Sequence, residues 1–94
     1  MVLKIYKWDI AEELKTEEDI MLFLDEILAE NDSALLAAAL GDVARAKGMT
    51  NVARETGLGR ESLYKALNAE GNPSFATVQK VMTSLGFRFS VSAI

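Results

Sequence analysis

Apolar residues recur at helical spacing along most of this chain, and the repeat predicts a series of short amphipathic helices. The clearest case is segment 17–30, whose apolar positions follow the i, i+3, i+4, i+7, i+8 pattern of a helix that buries one face. These positions are Ile20, Phe23, Leu24, Ile27 and Leu28. The pattern returns in segments 33–47 and 74–85, and shorter stretches at 50–56 and 60–69 lie between them.

Capping residues and glycines set the expected boundaries of these helices. Asp9 and Glu12 have the spacing of a capping box, which predicts a short helix to about residue 15. Glycine predicts a helix end at Gly48 and another at Gly86. The other expected N-caps are Thr16, Ser33, Thr50 and Ser74.

The two ends of the chain follow a different pattern. After Gly86, apolar residues alternate with polar ones, which predicts a half-buried strand over 87–92. Because small proteins rarely leave a strand edge free, we expect this strand to pair with its copy in a dimer or with a neighbouring strand of its own chain. The first eight residues are rich in Val, Leu, Ile, Tyr and Trp and predict an extended arm or short strand.

Composition excludes several chemistries. The chain has no Cys and no His, so it has no disulfide, no thiolate or imidazole metal site, and no Cys nucleophile or His-based triad. Its acids are clustered, but no second element converges on them. We therefore expect no catalytic residue, no metal, no cofactor and no enzyme activity. The longest apolar run, 34–40, is far below the ~20 residues that span a bilayer, and the N-terminus lacks a secretory layout, so we expect a cytoplasmic protein.

Charge is divided unevenly along the chain. Residues 1–32 hold three lysines and ten acids, a net charge of −7, whereas residues 33–94 hold seven basic and four acidic residues, a net charge of +3. Such asymmetry suggests two surfaces with different partners, because an acidic face attracts basic proteins and a basic face attracts nucleic acid. The alternative is that both are ordinary solvated helix faces.

Segment 49–68 has the spacing of a DNA-binding helix-turn-helix. Ala53 is small where two helices cross closely, and Gly57 lies where a positive φ is needed. Leu58 fills the angle between the helices, and Leu63 anchors the second helix in the core. These four positions, followed by outward polar residues, predict a helix that enters the major groove.

Several outward side chains of this segment suit contact with DNA. Arg60 can pair with guanine O6 and N7, and Lys65 suits a phosphate. Thr50 and Asn51 begin the first helix, whose free N–H groups also suit a phosphate. Further candidates on the second helix are Glu61, Ser62, Tyr64 and Asn68.

The alternative is again a solvated face, on which Glu61 and Lys65 form an i, i+4 ion pair worth only ~0.3–0.5 kcal/mol.

The chain resembles a known family at the segments ARETGLGRESLYKAL and GNPSFATVQKVMTSLG. It looks like a member of the probable addiction-module antidote family, small HigA-related antitoxins of the lambda-repressor-like (XRE) helix-turn-helix superfamily. The resemblance implies a DNA-binding antitoxin, encoded beside a small RelE/HigB-like toxin, that neutralises the toxin by direct binding and represses their shared promoter, usually as a homodimer. Gly59 departs from the family pattern, where a capping Ser is usual; glycine costs only a few tenths of a kcal/mol.

The resemblance also assigns site residues. The recognition helix carries Arg60, Glu61, Ser62, Tyr64 and Lys65. The positions that face the DNA backbone are Thr50, Asn51, Asn68, Asn72 and Ser74.

These expectations divide the chain into three parts within a single domain, 1–94. The parts are an acidic N-terminal arm and helix (1–32), a helix-turn-helix DNA-binding core (33–86) and a C-terminal strand (87–94). The fold class is mainly all-α, with five or six short helices, a lambda-repressor-like helix-turn-helix and a short C-terminal β-strand.

The expected partners are double-stranded DNA with an inverted-repeat operator and a small basic toxin. Helix 17–30 is suited to cradle such a toxin, although its apolar stripe also suits core or dimer packing and its acids a solvated face. Two other functions remain open: an autoregulating phage-type repressor without a toxin, and a protein-interaction module that binds no DNA.

Overall fold

Five helices form the part of the chain that the structure, a computed structural model, describes, residues 13–94. They are α1 (Glu17–Ala29), α2 (Ser33–Lys47), α3 (Met49–Thr56), α4 (Arg60–Ala66) and α5 (Phe75–Ser84). The mainly helical class is therefore confirmed. The predicted arm and the capping box of Asp9 and Glu12 lie outside the described residues. Within residues 13–94, no helix combines the length and apolar character needed to cross a membrane.

Side-chain caps begin three of the five helices. Thr16 and Asp19 form a capping box at α1, with Asp19 N–H donating to Thr16 Oγ1 at 3.0 Å and Thr16 N–H to Asp19 Oδ2 at 3.1 Å. Ser74 Oγ accepts from Thr77 N–H at 3.1 Å at the start of α5, as predicted. At α2 the cap is Asp32 and not Ser33, because the Asp32 carboxylate reaches the N–H groups of the two residues after Ser33, both at 3.1 Å.

The other two helices begin at a glycine without a side-chain cap. Gly48, at φ 105°, joins α2 directly to α3, so Thr50 lies inside α3 and is not its cap, contrary to expectation. Gly59 is the N-cap of α4. Helix α4 ends at Ala66, three residues before the predicted end at 69, because the chain leaves helical geometry at Leu67 (φ −97°, ψ 63°).

The predicted C-terminal strand is wrong. Residues 87–94 form no strand, and the last backbone hydrogen bond along the described chain joins Phe87 N–H to the Met82 carbonyl at 3.0 Å. Two apolar residues of the alternating pattern, Phe87 and Phe89, instead pack against the core. The Phe89 ring stacks on Phe75 with the ring centroids 5.8 Å apart. A strand also needs a partner, and none of the described segments supplies one.

All five helices contribute to one hydrophobic core. Helix α1 packs on α2, α2 contacts α3 and α4, and α3 contacts α4 and α5. Burying each large apolar side chain contributes roughly 1.5–3 kcal/mol, so these residues hold the helices together. The largest fully buried side chains are Ile27, Leu40, Leu63, Val43, Val52 and Val81.

Helix α2 approaches the end of α4 closely at Gly41. A Cβ at this position would overlap the carbonyl oxygen of Leu67. We therefore expect Gly41→Ala to lower the free energy of unfolding by ~1–3 kcal/mol, measured by urea denaturation. Gly59→Ser is the matched control, because a Cβ there meets nothing nearer than Ser62 Oγ at 3.9 Å and serine is as good an N-cap as glycine. An equal loss in both variants would contradict the close approach.

Candidate nucleic-acid interface

A three-residue turn, Gly57–Gly59, joins α3 to α4. Gly57 is left-handed at φ 76°, ψ 10°, and ends α3. The Thr56 hydroxyl fixes the turn, since it donates to the Val52 carbonyl at 2.7 Å and accepts from Leu58 N–H at 3.2 Å. The sequence analysis missed this role, although a Thr one residue before a helix-ending Gly is a usable signal.

The inward positions of this segment lie where their spacing predicted. Leu63 is fully buried, and Ala53 and Leu58 are half-buried and pack against the core. The second helix is therefore fixed to the core by one side, and its other side is left to solvent.

The exposed side of α4 carries every predicted recognition residue. These are Arg60, Glu61, Ser62, Tyr64 and Lys65. Within residues 13–94, Arg60 and Lys65 have no acidic partner within 4.0 Å, so the Glu61–Lys65 pair of the solvated-face alternative does not form. Both cations remain available to a ligand.

Three neighbouring cations are, by contrast, already engaged. Arg45 forms an ion pair with Asp42 at 2.6 Å. Lys47 lies 3.4 Å from Glu55 and also donates to the Ser84 carbonyl. The Lys47 contacts tie the end of α2 to α3 and α5, and the Arg45 pair lies within α2, so we assign both cations structural roles.

The third cation, Arg54, is held at the first turn of α3. Its guanidinium donates to Asn51 Oδ1 at 2.7 Å, and Asn51 Nδ2 donates to the Lys47 carbonyl at 3.4 Å. Thr50 is exposed beside them, and α3 has no side-chain cap. This end of α3 therefore combines a positive helix dipole, a hydroxyl and a fixed guanidinium, the chemistry that suits an anion.

The three predicted DNA-backbone residues after α4 differ in whether their side chains already form hydrogen bonds within the chain. Asn68 closes α4: its Nδ2 donates to the carbonyls of Tyr64 (2.8 Å) and Lys65 (3.0 Å), and its Oδ1 accepts from Glu70 N–H (2.9 Å). Ser74 caps α5 and donates to Thr77 Oγ1 at 3.1 Å. Asn72 is exposed, and no described residue hydrogen-bonds its side chain. Asn68 and Ser74 therefore stabilise the conformation of this loop.

The fold and this site define a small helical protein that presents an unpaired basic helix face. The chain belongs to the family of probable addiction module antidote proteins, whose model matches residues 4–93. It is also similar to a Haemophilus influenzae protein described only as uncharacterized, with 50% identity over 91 residues, 97% of this chain and 94% of that protein. No solved structure matches the chain significantly. The family indicates an antitoxin role and, in general, a toxin partner.

Gly57 provides a test of the turn. A Cβ there meets nothing within 4 Å, so a substitution costs backbone strain alone. We expect Gly57→Ala to lower the free energy of unfolding by ~1–2 kcal/mol. Gly57→Asn should cost less, because Asn tolerates the left-handed region. Chemical denaturation of both variants makes the comparison, and a harmless Gly57→Ala would refute the left-handed turn.

Proposed function

We propose that this protein is a DNA-binding antitoxin that places α4 in the major groove of its operator. It represses the promoter shared with a small RelE/HigB-like toxin and neutralises that toxin by direct binding. The observation that supports DNA binding most is the pair of unpartnered cations, Arg60 and Lys65, on the exposed face of α4. Promoter and toxin are both cytoplasmic targets, so the cytoplasm is its proposed location.

The position of a residue along α4 decides whether it contacts base edges or the phosphate backbone. Arg60 is the first residue of the helix, the end at which recognition helices contact base edges, and its fork matches guanine O6 and N7. Glu61 and Ser62 share this first turn and face the same base pairs. Tyr64 and Lys65 lie one turn further on; the lysine suits a phosphate, and the tyrosine ring suits a thymine methyl group.

The start of α3 and the loop before α5 are proposed to bind the flanking phosphates. Arg54, positioned by Asn51, and the Thr50 hydroxyl surround the uncapped end of α3. The loop offers Asn72 and Ser74, while Asn68 acts through the shape of the loop that it stabilises. Sequence-independent contacts of this kind set the register of α4 on the duplex.

A homodimer completes the proposed complex. Two copies related by a two-fold axis would read half-sites about one helical turn, ~34 Å, apart on an inverted repeat.

DNA titration separates the two cation roles. We expect Arg60→Ala to reduce discrimination at one base pair by ~1–3 kcal/mol and Lys65→Ala to weaken all sequences alike, lowering the salt slope by about one. Fluorescence anisotropy measures the affinity and its salt dependence for the DNA upstream of this protein's gene and for scrambled DNA. Lys80→Ala is the matched control, because Lys80 is an exposed lysine of α5 outside the proposed interface.

Equal losses on specific and scrambled DNA in both variants would overturn these roles. No binding even at low salt would overturn the DNA-binding proposal and favour the interaction module. DNA binding without any toxin would favour the plain repressor.

Sedimentation analysis tests the dimer. We expect the protein, alone or bound to the inverted-repeat DNA, to contain two chains of 10.3 kDa each. A mass of one chain in both conditions would overturn the homodimer.

A further inference from the structure

The side of α1 that faces away from the core carries exposed apolar residues as well as acids. Its core side carries buried Phe23, Leu24 and Ile27. On the other side Met21, Leu22 and Leu28 are 50%, 56% and 40% exposed. A surface helix of a globular protein normally carries polar residues opposite its core stripe, so a second apolar set there indicates a surface that a partner covers.

Acids surround these apolar residues. Helical spacing puts Asp25 between Met21 and Leu28, one turn from each. Helix α1 contains no basic residue, and Asp19 is used in the cap. In the described part of the chain the remaining acids make no ion pair. These exposed acids are Glu17, Glu18, Asp25, Glu26 and, at the helix end, Glu30.

The negative charge of this face indicates which class of partner can bind it. It would repel DNA phosphates, and a second α1 would set acids against acids. A protein with cationic and apolar side chains is complementary to it. We propose that the outer face of α1, defined by Met21, Leu22, Asp25 and Leu28, is the surface that binds the toxin. This proposal rests on the antitoxin role and adds where, and to what chemistry, the toxin docks.

The proposed toxin surface and the proposed DNA surface lie on different helices. Helix α1 packs on α2, while the recognition residues lie on α4, whose contacts are with α2 and α3. Changes on the outer face of α1 should therefore alter toxin binding and leave DNA binding as it is.

Binding of the purified toxin encoded beside this chain's gene provides the test. Asp25→Lys and the double variant Met21→Ala/Leu22→Ala should each weaken toxin binding by roughly tenfold or more. The dissociation constant is measured at low and high ionic strength, and only the charge variant should lose its salt dependence in part. Glu70→Lys, in an exposed loop outside α1, has the same net charge as Asp25→Lys and should bind the toxin as the unaltered chain does.

Each other outcome overturns the proposal in a distinguishable way. Full toxin affinity in both α1 variants would overturn this docking surface and leave the antitoxin role standing. No toxin binding by the unaltered chain would overturn both. A loss of dimer mass would assign the face to a second copy. A lower unfolding midpoint with toxin affinity unchanged would assign it to contacts within the chain.

Discussion

The close approach of α2 to the end of α4 is the constraint on which the candidate site depends. At Gly41 there is no room for a Cβ against the Leu67 carbonyl, and Gly71 is equally close to the carbonyl of Ala66. Two backbone contacts therefore hold the last turn of α4, while Leu63 fixes its middle in the core. A helix of seven residues is too short to be stable alone, so its orientation comes from these contacts.

Local ion pairs decide which positive charges remain for a ligand. Asp42 pairs with Arg45 within α2, and Glu55 of α3 pairs with Lys47 at the end of α2. No comparable acid is placed beside Arg60 or Lys65 in the described chain, although Glu61 has the right sequence separation. The net charge of residues 33–94 is +3. The positive charge that remains available to a ligand therefore lies on fewer side chains than the composition of this segment indicates.

Sequence patterns predicted what depends on local spacing and failed where tertiary contacts decide. The buried stripe of α1 as far as Ile27, the Thr16 cap and the inward Leu63 follow from periodicity and capping chemistry alone. Leu28, predicted in the same stripe, is instead 40% exposed. The strand at 87–92 was wrong because alternation reports which side chains are buried, and the same burial arises when Phe89 stacks on Phe75 without any ladder. The pairing of Arg54 with Asn51 and the capping of α4 by Asn68 depend on rotamers that spacing does not determine.

The distribution of helix caps connects stability with the proposed function. Helices α1, α2 and α5 begin with a side chain that accepts backbone N–H bonds, whereas α3 and α4 begin at Gly48 and Gly59 without one. Relative to Ser or Asp, glycine at an N-cap costs only a few tenths of a kcal/mol, so the fold tolerates both. A side-chain oxygen at the start of α3 would compete with a phosphate for the same N–H groups and would add negative charge or bulk where Arg54 lies. The two helices proposed to meet DNA are the two that the chain leaves uncapped. At Gly48 the φ of 105° itself requires glycine. Gly59 has extended backbone that any residue adopts, so it is the position at which an interface, and not the fold, is free to determine the residue.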